Sequence, residues 1–201
     1  MVSSDKKRIY TVEEYLALEE RSEIRHELYR GELYAMAGGT VNHNRLTRRV
    51  ANLLENQPAL KGCGVFSENL KVEVVRDGYY CYPDVVVACH PFDLRGTNQI
   101  IKQPRVIVEV LSKSTALADR GTKWQRYRKL PSLWYYMLVD QYSATIELFS
   151  RIEETDEWIN SLYENGDDLI VLPRLNMEIF QKDIYNGIEL HPEEEDVQED
   201  A

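Results

Sequence analysis

A charged residue inside an apolar strand limits what this chain can fold into. Residues 106–111 are a short run of β-branched and aliphatic side chains between Pro104 and the turn-forming residues 112–115, which predicts a buried β-strand. Glu109 stands within this run. Because a carboxylate in a protein core is destabilising unless it is paired, protonated or bound to a cation, the fold must bring a compensating group to Glu109.

Length and charge predict one domain with an acidic end. The chain has 201 residues, of which 43% are hydrophobic, enough for one compact domain that we place at residues 1–190. The net charge is −10, and six of the carboxylates lie in the C-terminal stretch EEEDVQED. We predict that residues 191–201 form a disordered acidic tail. No apolar run reaches the roughly 20 residues of a membrane span, and the N-terminus lacks the apolar core of a signal peptide, so we expect a cytoplasmic protein.

The cysteines give no sign of a disulfide framework or a zinc site. Cys63, Cys81 and Cys89 are odd in number and show no C-x-x-C spacing. We therefore predict buried free thiols.

The order of predicted elements indicates a mixed sheet with helices on its faces, an α/β or α+β fold. The predicted elements are, in order, a capped helix in TVEEYLALEE, a hairpin around residues 30–31, a helix over 41–57, strands in 63–89 with a break near 68–69, a strand at 106–111, a helix from about 119 to 129, a strand pair around 141–143 and a hairpin through 164–166. No internal repeat or linker interrupts this order.

A second carboxylate is a candidate neighbour of Glu109. In YPDVVVAC, Asp84 opens an apolar strand, and the alternation of side chains places it on the same side as Val86 and Ala88. If that strand lies beside the strand of Glu109, the two carboxylates meet at one edge of the core. Two such anions repel unless one keeps its proton or a divalent cation lies between them. Hard oxygen ligands suit Mg²⁺ or Mn²⁺, which retain waters and accept substrate phosphates as ligands.

The segments YPDVVV, PRVIVEVLSKST and DRGTKWQRY, in this order, resemble the Uma-two family. The N-terminal HELYRGELYAMAGGTVNHNRL is also similar to that family, and the resemblance covers roughly residues 8 to 190. It implies a restriction-endonuclease-like fold of the PD-(D/E)XK type and a divalent-metal nuclease site. A fold of this type commonly pairs two subunits, so the resemblance also implies a homodimer.

The resemblance assigns roles to residues one at a time. Asp84 and Glu109 match the metal-binding acids, and the carbonyl of Val110 often joins them in such folds. The position two after Glu109, where the lysine of the motif normally stands, is Leu111. The lysine of this family is displaced to the following helix, which nominates Lys123 as the residue that supports the attacking water.

Two further assignments follow from the resemblance and from the position of the basic residues. Lys113, on the turn after the strand, is the rival of Lys123, which is preferred because a helix fixes the direction of its side chain better. Glu32 matches the early glutamate of the family and would hold a second metal ion or orient the water.

Other interpretations remain open for the same residues. Glu109 forms an ion pair with Lys123 or Arg105 in an inert fold without metal, Asp119 is an N-cap of the basic helix, and Glu32 is a solvated hairpin residue. His43 is a candidate phosphate contact at the start of a helix. The three arginines of the same helix either line a groove for a nucleic-acid backbone or face water; they are Arg45, Arg48 and Arg49.

The sequence thus predicts a Mg²⁺- or Mn²⁺-dependent endonuclease acting on nucleic acid, most simply DNA. The alternative from another class is a non-catalytic nucleic-acid-binding or interaction module that keeps the fold. No helix-turn-helix or zinc-finger pattern announces readout of a base sequence.

Overall fold

The computed structural model describes residues 8–36, 38–75 and 78–191 of the chain. The predicted acidic tail, from residue 192 onward, lies outside the described residues. The α-helices are α1 (Val12–Glu19), α2 (Val41–Glu55), α3 (Ala116–Ala118), α4 (Trp124–Tyr127) and α5 (Gln181–Tyr185), and a π-helical turn (Asp119–Lys123) joins α3 to α4. The strands are β1 (His26–Tyr29), β2 (Glu32–Ala35), β3 (Gly64–Ser67), β4 (Lys71–Val75), β5 (Tyr79–Cys81), β6 (Val85–Ala88), β7 (Ile100–Ile101), β8 (Pro104–Leu111), β9 (Tyr135–Asp140), β10 (Ile146–Arg151), β11 (Trp158–Tyr163), β12 (Leu169–Leu172) and β13 (Met177–Phe180).

A six-stranded sheet in the order β11-β10-β9-β8-β6-β3 forms the centre of the molecule. β8 and β9 run parallel, whereas the other neighbours are antiparallel. The helical segment between β8 and β9 provides the crossover that a parallel pair requires. The strand of Glu109 is therefore an inner strand, buried on both faces, as its apolar composition predicts.

The two faces of this sheet support separate apolar cores. On one face, α2 and α5 pack over the side chains of Val85, Val87, Val108 and their neighbours. On the other face, which carries Ile107 and Leu111, the strands β4 and β5 of a second sheet and the helix α4 close the core. The second sheet has five strands in the order β2-β1-β5-β4-β7, and α1 covers its outer face. Because side chains alternate along a strand, Glu109 points to the core between the two sheets.

Several local predictions are confirmed. Thr11 accepts a hydrogen bond from the Glu14 N–H while the Glu14 carboxylate accepts one from the Thr11 N–H, a capping box at the start of α1. The hairpin β1–β2 turns at Arg30 and Gly31, with φ of 51° and 80°. The break near residues 68–69 is a turn with positive φ at both positions, and β9 pairs with β10.

The predicted hairpin through residues 164–166 is wrong. β11 pairs with β10 at the edge of the six-stranded sheet, and β12 pairs with β13 in a separate two-stranded sheet. The turn sequence itself is stabilised locally, because the Asp168 carboxylate accepts hydrogen bonds from the N–H groups of Glu164 and Asn165. A turn signal shows where the chain reverses direction, but it does not determine which strands pair across the reversal.

The prediction of free thiols is wrong for two of the three cysteines. Cys63 and Cys89 form a disulfide. Antiparallel pairing of β3 with β6 sets Gly64 opposite Ala88, so the residues just outside these two positions also face each other. Cys81 is a buried free thiol, as predicted.

None of the helices in the described part of the chain has the length and apolar character needed to cross a membrane.

Candidate active site

Asp84 and Glu109 lie side by side at the end of two paired strands. β6 and β8 are antiparallel with Val85 opposite Val108, so the next position of each strand sets Asp84 opposite Glu109. The N–H of Val110 donates a hydrogen bond of 2.6 Å to Asp84 Oδ2. This contact fixes one oxygen of Asp84 beside the strand of Glu109. The proximity of the two acids that the sequence predicts is present in the structure.

Glu109 is compensated by a lysine and a tyrosine. The side chain of Glu109 is buried, and its Oε1 accepts hydrogen bonds from Lys123 Nζ at 3.2 Å and from the hydroxyl of Tyr127 at 2.8 Å. The Tyr127 hydroxyl lies 2.9 Å from the buried thiol of Cys81. Arg105, the other proposed partner, donates to the Ser132 carbonyl and stacks on an indole ring instead.

The ammonium group of Lys123 is shared by three carboxylates. Besides Glu109, its Nζ lies 3.1 Å from Asp119 Oδ1 and 3.3 Å from Glu27 Oε1. Glu27 belongs to β1 in the five-stranded sheet, whereas Glu109 belongs to β8 in the six-stranded sheet. The candidate site therefore lies between the two sheets and below the helical segment.

The helical segment differs from the predicted one in a way that shapes the site. Helical structure begins at Ala116, and residues Asp119–Lys123 form a π-helical turn within it. Asp119 is thus an interior position, 1% exposed, and not the N-cap that the sequence suggested. Its side chain faces Lys123, and its carbonyl accepts a hydrogen bond from Tyr136. Single π-helical turns are rare and are frequent at functional sites.

His43, at the first turn of α2, completes the rim of the site. Its Nε2 lies 3.4 Å from Asp84 Oδ2. Burial on its own lowers the pKa of His43, but the Asp84 carboxylate and a hydrogen bond to the Val110 main chain outweigh burial and raise this pKa above its ordinary value.

The electrostatics of the site show an excess of negative charge. Burial raises the pKa of Glu109 well above its ordinary range; Lys123 opposes this, and the carboxylates of Asp119, Asp84 and Glu27 add to it. For Lys123, burial lowers the pKa, yet the three surrounding carboxylates, led by Glu109, raise it well above its ordinary value. The lysine therefore stays protonated, and three of the four acids share its charge while Asp84 faces His43.

This set of donors suits a hard divalent cation. Among the described contacts, Oδ1 of Asp84 and Oε2 of Glu109 receive no hydrogen bond, so each acid keeps one oxygen for a metal ion. Val110, the third expected ligand through its carbonyl, follows Glu109 on β8. Within residues 8–36, 38–75 and 78–191, no three His, Cys, Asp or Glu side chains are grouped so as to enclose a metal ion by themselves. Mg²⁺ and Mn²⁺ fit such an open site, because they complete their shell with waters and substrate phosphates.

Glu32 and Lys113, the two remaining candidate residues, lie at the edge of the candidate site or outside it. Glu32 faces the same side of its hairpin as Glu27, because it pairs with Tyr29, and its carboxylate accepts a hydrogen bond from Tyr34 on the outer strand. The hairpin glutamate that the structure shows in contact with Lys123 is Glu27. Lys113 is exposed on the turn after β8, where its N–H donates to the Tyr142 hydroxyl.

Sequence reasoning missed Glu27 and Gln141. The sequence does contain a signal for Glu27. Along β1 it lies one position from the buried apolar residue, so its side chain points to the other face of the hairpin. Gln141 is 2% exposed; its amide nitrogen donates to the Leu111 carbonyl at 2.6 Å and its oxygen accepts from Thr40, the N-cap of α2. This amide joins the end of β8 to the helix that carries His43, and no local pattern in the sequence predicts it.

Comparison with known proteins shows the family to which the chain belongs. The sequence model of the Uma2 family, described as "Putative restriction endonuclease", matches residues 12–180. Two proteins of Synechocystis sp. PCC 6803, both described as uncharacterized, are similar in sequence. Protein slr1290 is 37% identical over 176 residues, which cover 88% of this chain and 91% of the relative. Protein sll1609 is 32% identical over 153 residues, which cover 76% and 86% of the two chains.

A solved structure shares the fold. The crystal structure described as that of "a putative nuclease belonging to DUF820" from Anabaena variabilis superposes with a TM-score of 0.71 and 17% sequence identity, over 87% of this chain and 97% of that one. The predicted fold class, a mixed α+β restriction-endonuclease-like fold, is confirmed by this match. The resemblance to the Uma-two family that the motifs carried is confirmed by the family match.

Proposed function

The chain belongs to the Uma2 family, and from this premise we propose that it is an endonuclease. Its substrate is nucleic acid, most simply DNA, and it hydrolyses the phosphodiester bonds with Mg²⁺ or Mn²⁺ as its cofactor. The observation that carries the proposal is the placement of Asp84 opposite Glu109, with Lys123 bound to the latter. Nuclease chemistry requires such a cluster, because the scissile phosphate is an anion that accumulates charge during attack by water.

The residues that would hold the cation are Asp84, Glu109 and the carbonyl of Val110. A bound divalent cation lowers the pKa of water and neutralises charge on a phosphoryl oxygen. The chain prepares the site for it by holding one oxygen of each acid in a hydrogen bond and leaving the other available. The hydrogen bond to one oxygen fixes the direction of each carboxylate before a ligand binds.

The other side chains position charge and protons. Lys123 keeps its proton, and its ammonium group stabilises the negative charge that develops on the phosphate. Tyr127 donates to Glu109 and restricts its rotation. His43, whose pKa the Asp84 carboxylate raises against the effect of burial, donates to a non-bridging phosphate oxygen when its ring is protonated.

Of the two hairpin glutamates, the geometry supports Glu27 as the one that assists. Its carboxylate shares the Lys123 ammonium group with Glu109 and holds the lysine from the opposite sheet. Glu32 lies on β2, at the edge of the five-stranded sheet, and accepts a hydrogen bond from Tyr34. In this proposal Glu27 positions the lysine, and Glu32 is dispensable for chemistry.

The test is incubation of the purified protein with supercoiled plasmid, single-stranded DNA and RNA in Mg²⁺, Mn²⁺ and EDTA. We expect cutting that requires the metal ion and that Asp84→Asn lacks, with binding of the nucleic acid retained by the variant. Absence of cutting of every substrate, together with no Mn²⁺ binding in calorimetry, would overturn the proposal.

One observation favours the non-catalytic alternative. Lys123 already neutralises part of the charge on Glu109 in a buried ion pair, which an inert fold would also display. An inert nucleic-acid-binding module would bind its ligand equally well with and without the Asp84→Asn substitution, and it would cut nothing. The plasmid experiment separates the two functions, because only the nuclease links Asp84 to turnover.

A further inference from the structure

We infer that a cleft lined by arginines on α2 binds the phosphate backbone of a polymeric nucleic acid at a distance from the candidate active site. The inference rests on the proposed function and assigns a substrate-binding surface to it. The cleft has a volume of about 420 Å³ and lies between α2 and the segment after α5. Its walls are Arg45, Arg48, Arg49 and Asn52 on one side and residues 186–188 on the other.

The positive charge of this cleft is not neutralised within the described part of the chain. None of its three arginines forms an ion pair with a carboxylate of the described residues. Arg49 is held by its Nη2, which donates to the Asn186 carbonyl at 2.8 Å, whereas Arg45 and Arg48 are exposed. Like charges three and four residues apart destabilise a helix. A chain whose net charge is −10 therefore keeps an unfavourable cluster of cations on one helix face, which a bound anion would relieve.

The chemistry of the cleft selects phosphate groups. Guanidinium groups present a planar fork of donors that binds phosphate through paired hydrogen bonds, and the amides of Asn52 and Asn186 add neutral polar groups to the walls. No aromatic side chain, on which a base would stack, is among the described residues that line the cleft. The cleft thus recognises backbone and not sequence.

The position of the cleft indicates a polymer and not a small phosphate. At 100° per residue, the three arginines lie roughly 140° to 240° around α2 from His43, so they face away from Asp84. A helix with its side chains is about 10–12 Å wide. A polymeric substrate that passes around α2 reaches both the cleft and the candidate active site, whereas a single phosphate group reaches only one of them.

The test uses protein with Asp84→Asn, which is expected to bind without cutting, and a fluorescently labelled oligonucleotide. Adding Arg45→Ala and Arg48→Ala is expected to weaken binding of the oligonucleotide roughly ten-fold or more. The slope of log K against log salt concentration should become shallower by about 1.4 to 1.8, the value expected for two lost phosphate contacts. The matched control is Lys61→Ala with Lys129→Ala, which removes two exposed cations outside the cleft. We expect this control to bind as its parent does.

A second measurement uses protein with Asp84 intact. The Arg45→Ala, Arg48→Ala double variant is expected to lose activity on plasmid but to retain hydrolysis of a small chromogenic phosphodiester, because only the polymer reaches the cleft. Both substituted positions are exposed, and alanine favours the helix, so the variant folds; its thermal unfolding verifies this.

The outcomes separate this inference from the proposed function. If the parent binds the oligonucleotide and the arginine variant binds it equally well with the same salt slope, the cleft is not a backbone site and the nuclease proposal stands. Calorimetry with inorganic phosphate tests a third outcome. If the parent binds phosphate and the arginine variant does not, while both bind the oligonucleotide with the same affinity, the cleft is a site for a free anion and the inference is overturned. If the parent binds no nucleic acid at all, both are overturned.

Discussion

The ammonium group of Lys123 lies 3.2 Å from the carboxylate of Glu109, and this contact joins a π-helical turn to an inner strand of the central sheet. The same ammonium group contacts Glu27 on the second sheet. One cation thus connects three layers of the fold. Its removal would leave the surrounding carboxylates facing each other across a buried space, so the lysine serves stability as well as the proposed chemistry.

Replacing Lys123 by methionine should therefore affect both properties. We expect Lys123→Met to lose at least about 100-fold in cleavage rate, because the charge that stabilises the developing phosphate anion is gone. It should also lower the free energy of unfolding by about 3 kcal/mol, since breaking a buried pair strands its partners. Plasmid cleavage and urea denaturation measure the two effects. Lys113→Met is the matched control, and loss of cleavage in that variant alone would transfer the role to Lys113.

The two hairpin glutamates provide a matched pair of variants. Glu27→Gln removes a carboxylate from Lys123, so we expect roughly ten-fold slower cleavage as the lysine loses one of the groups that position it. Glu32→Gln should cleave at the wild-type rate, because Glu32 lies on the edge strand β2 and it is Glu27 whose contact holds Lys123 in this proposal. Steady-state cleavage of a labelled duplex compares them. Equal loss in both variants would contradict the assignment of Glu27.

The raised pKa of Glu109 predicts how stability responds to pH in EDTA. Its folded-state pKa lies above its unfolded value of about 4.3, so the folded state binds the proton more tightly and stability falls as pH rises from that value toward the folded-state pKa. Glu109→Gln lacks this loss. We expect the variant to gain stability relative to wild type as pH increases from about 4.5 to about 8, measured by thermal unfolding. A wild type that is the more stable protein at every pH would support a purely structural ion pair.

The histidine at the rim gives a trend of its own. Because the folded-state pKa of His43 is raised, its contribution to stability is fully present below the unfolded value of about 6.5 and is lost as pH rises through the folded-state pKa. The difference in unfolding free energy between wild type and His43→Asn should be larger at about pH 5.5 than at about pH 8.5. Urea titrations in EDTA at both values measure it, and a constant difference would rule out the His43–Asp84 contact as its source.

Gln141 is expected to be a structural link between the end of β8 and α2. Gln141→Leu leaves the Leu111 carbonyl and the Thr40 hydroxyl without their partner, which costs about 1–3 kcal/mol for a buried group. Gln99→Leu, at an exposed position, is the control and should change stability little. Chemical denaturation of the two variants decides the matter; equal small effects would show that the link is unimportant.

Much of the fold was accessible from sequence because its signals are local. The capping box at Thr11, the positive-φ turn at residues 30–31 and the apolar strand around Glu109 are each determined by neighbouring residues. The pairing of β12 with β13 and the disulfide between Cys63 and Cys89 depend on which strands meet in space. A single sequence contains no direct record of such meetings.

The candidate site, too, has one part that local sequence patterns predict and another that depends on contacts in space. The meeting of Asp84 and Glu109 followed from strand periodicity once the strands were assumed to be neighbours. Glu27 was missed because the hairpin offers two glutamates on the same face, and only the packing of the second sheet against the helical segment shows which one reaches Lys123. The N-cap assigned to Asp119 was wrong because the preceding residues 116–118 extend the helical segment beyond the apparent start.

The π-helical turn at Asp119–Lys123 is the place where this segment can lose a residue with the least disruption. The wider turn holds one residue more than an α-helical turn, and Asp119 and Lys123 face the same cluster. Deletion of Gly121 would convert it to a regular α-helical turn and leave the helical segments on either side in nearly the same rotation. Loss of one residue from α4, by contrast, would rotate everything after it by about 100°. Homologous chains with this architecture should therefore tolerate a one-residue deletion inside the π-helical turn better than one in α4.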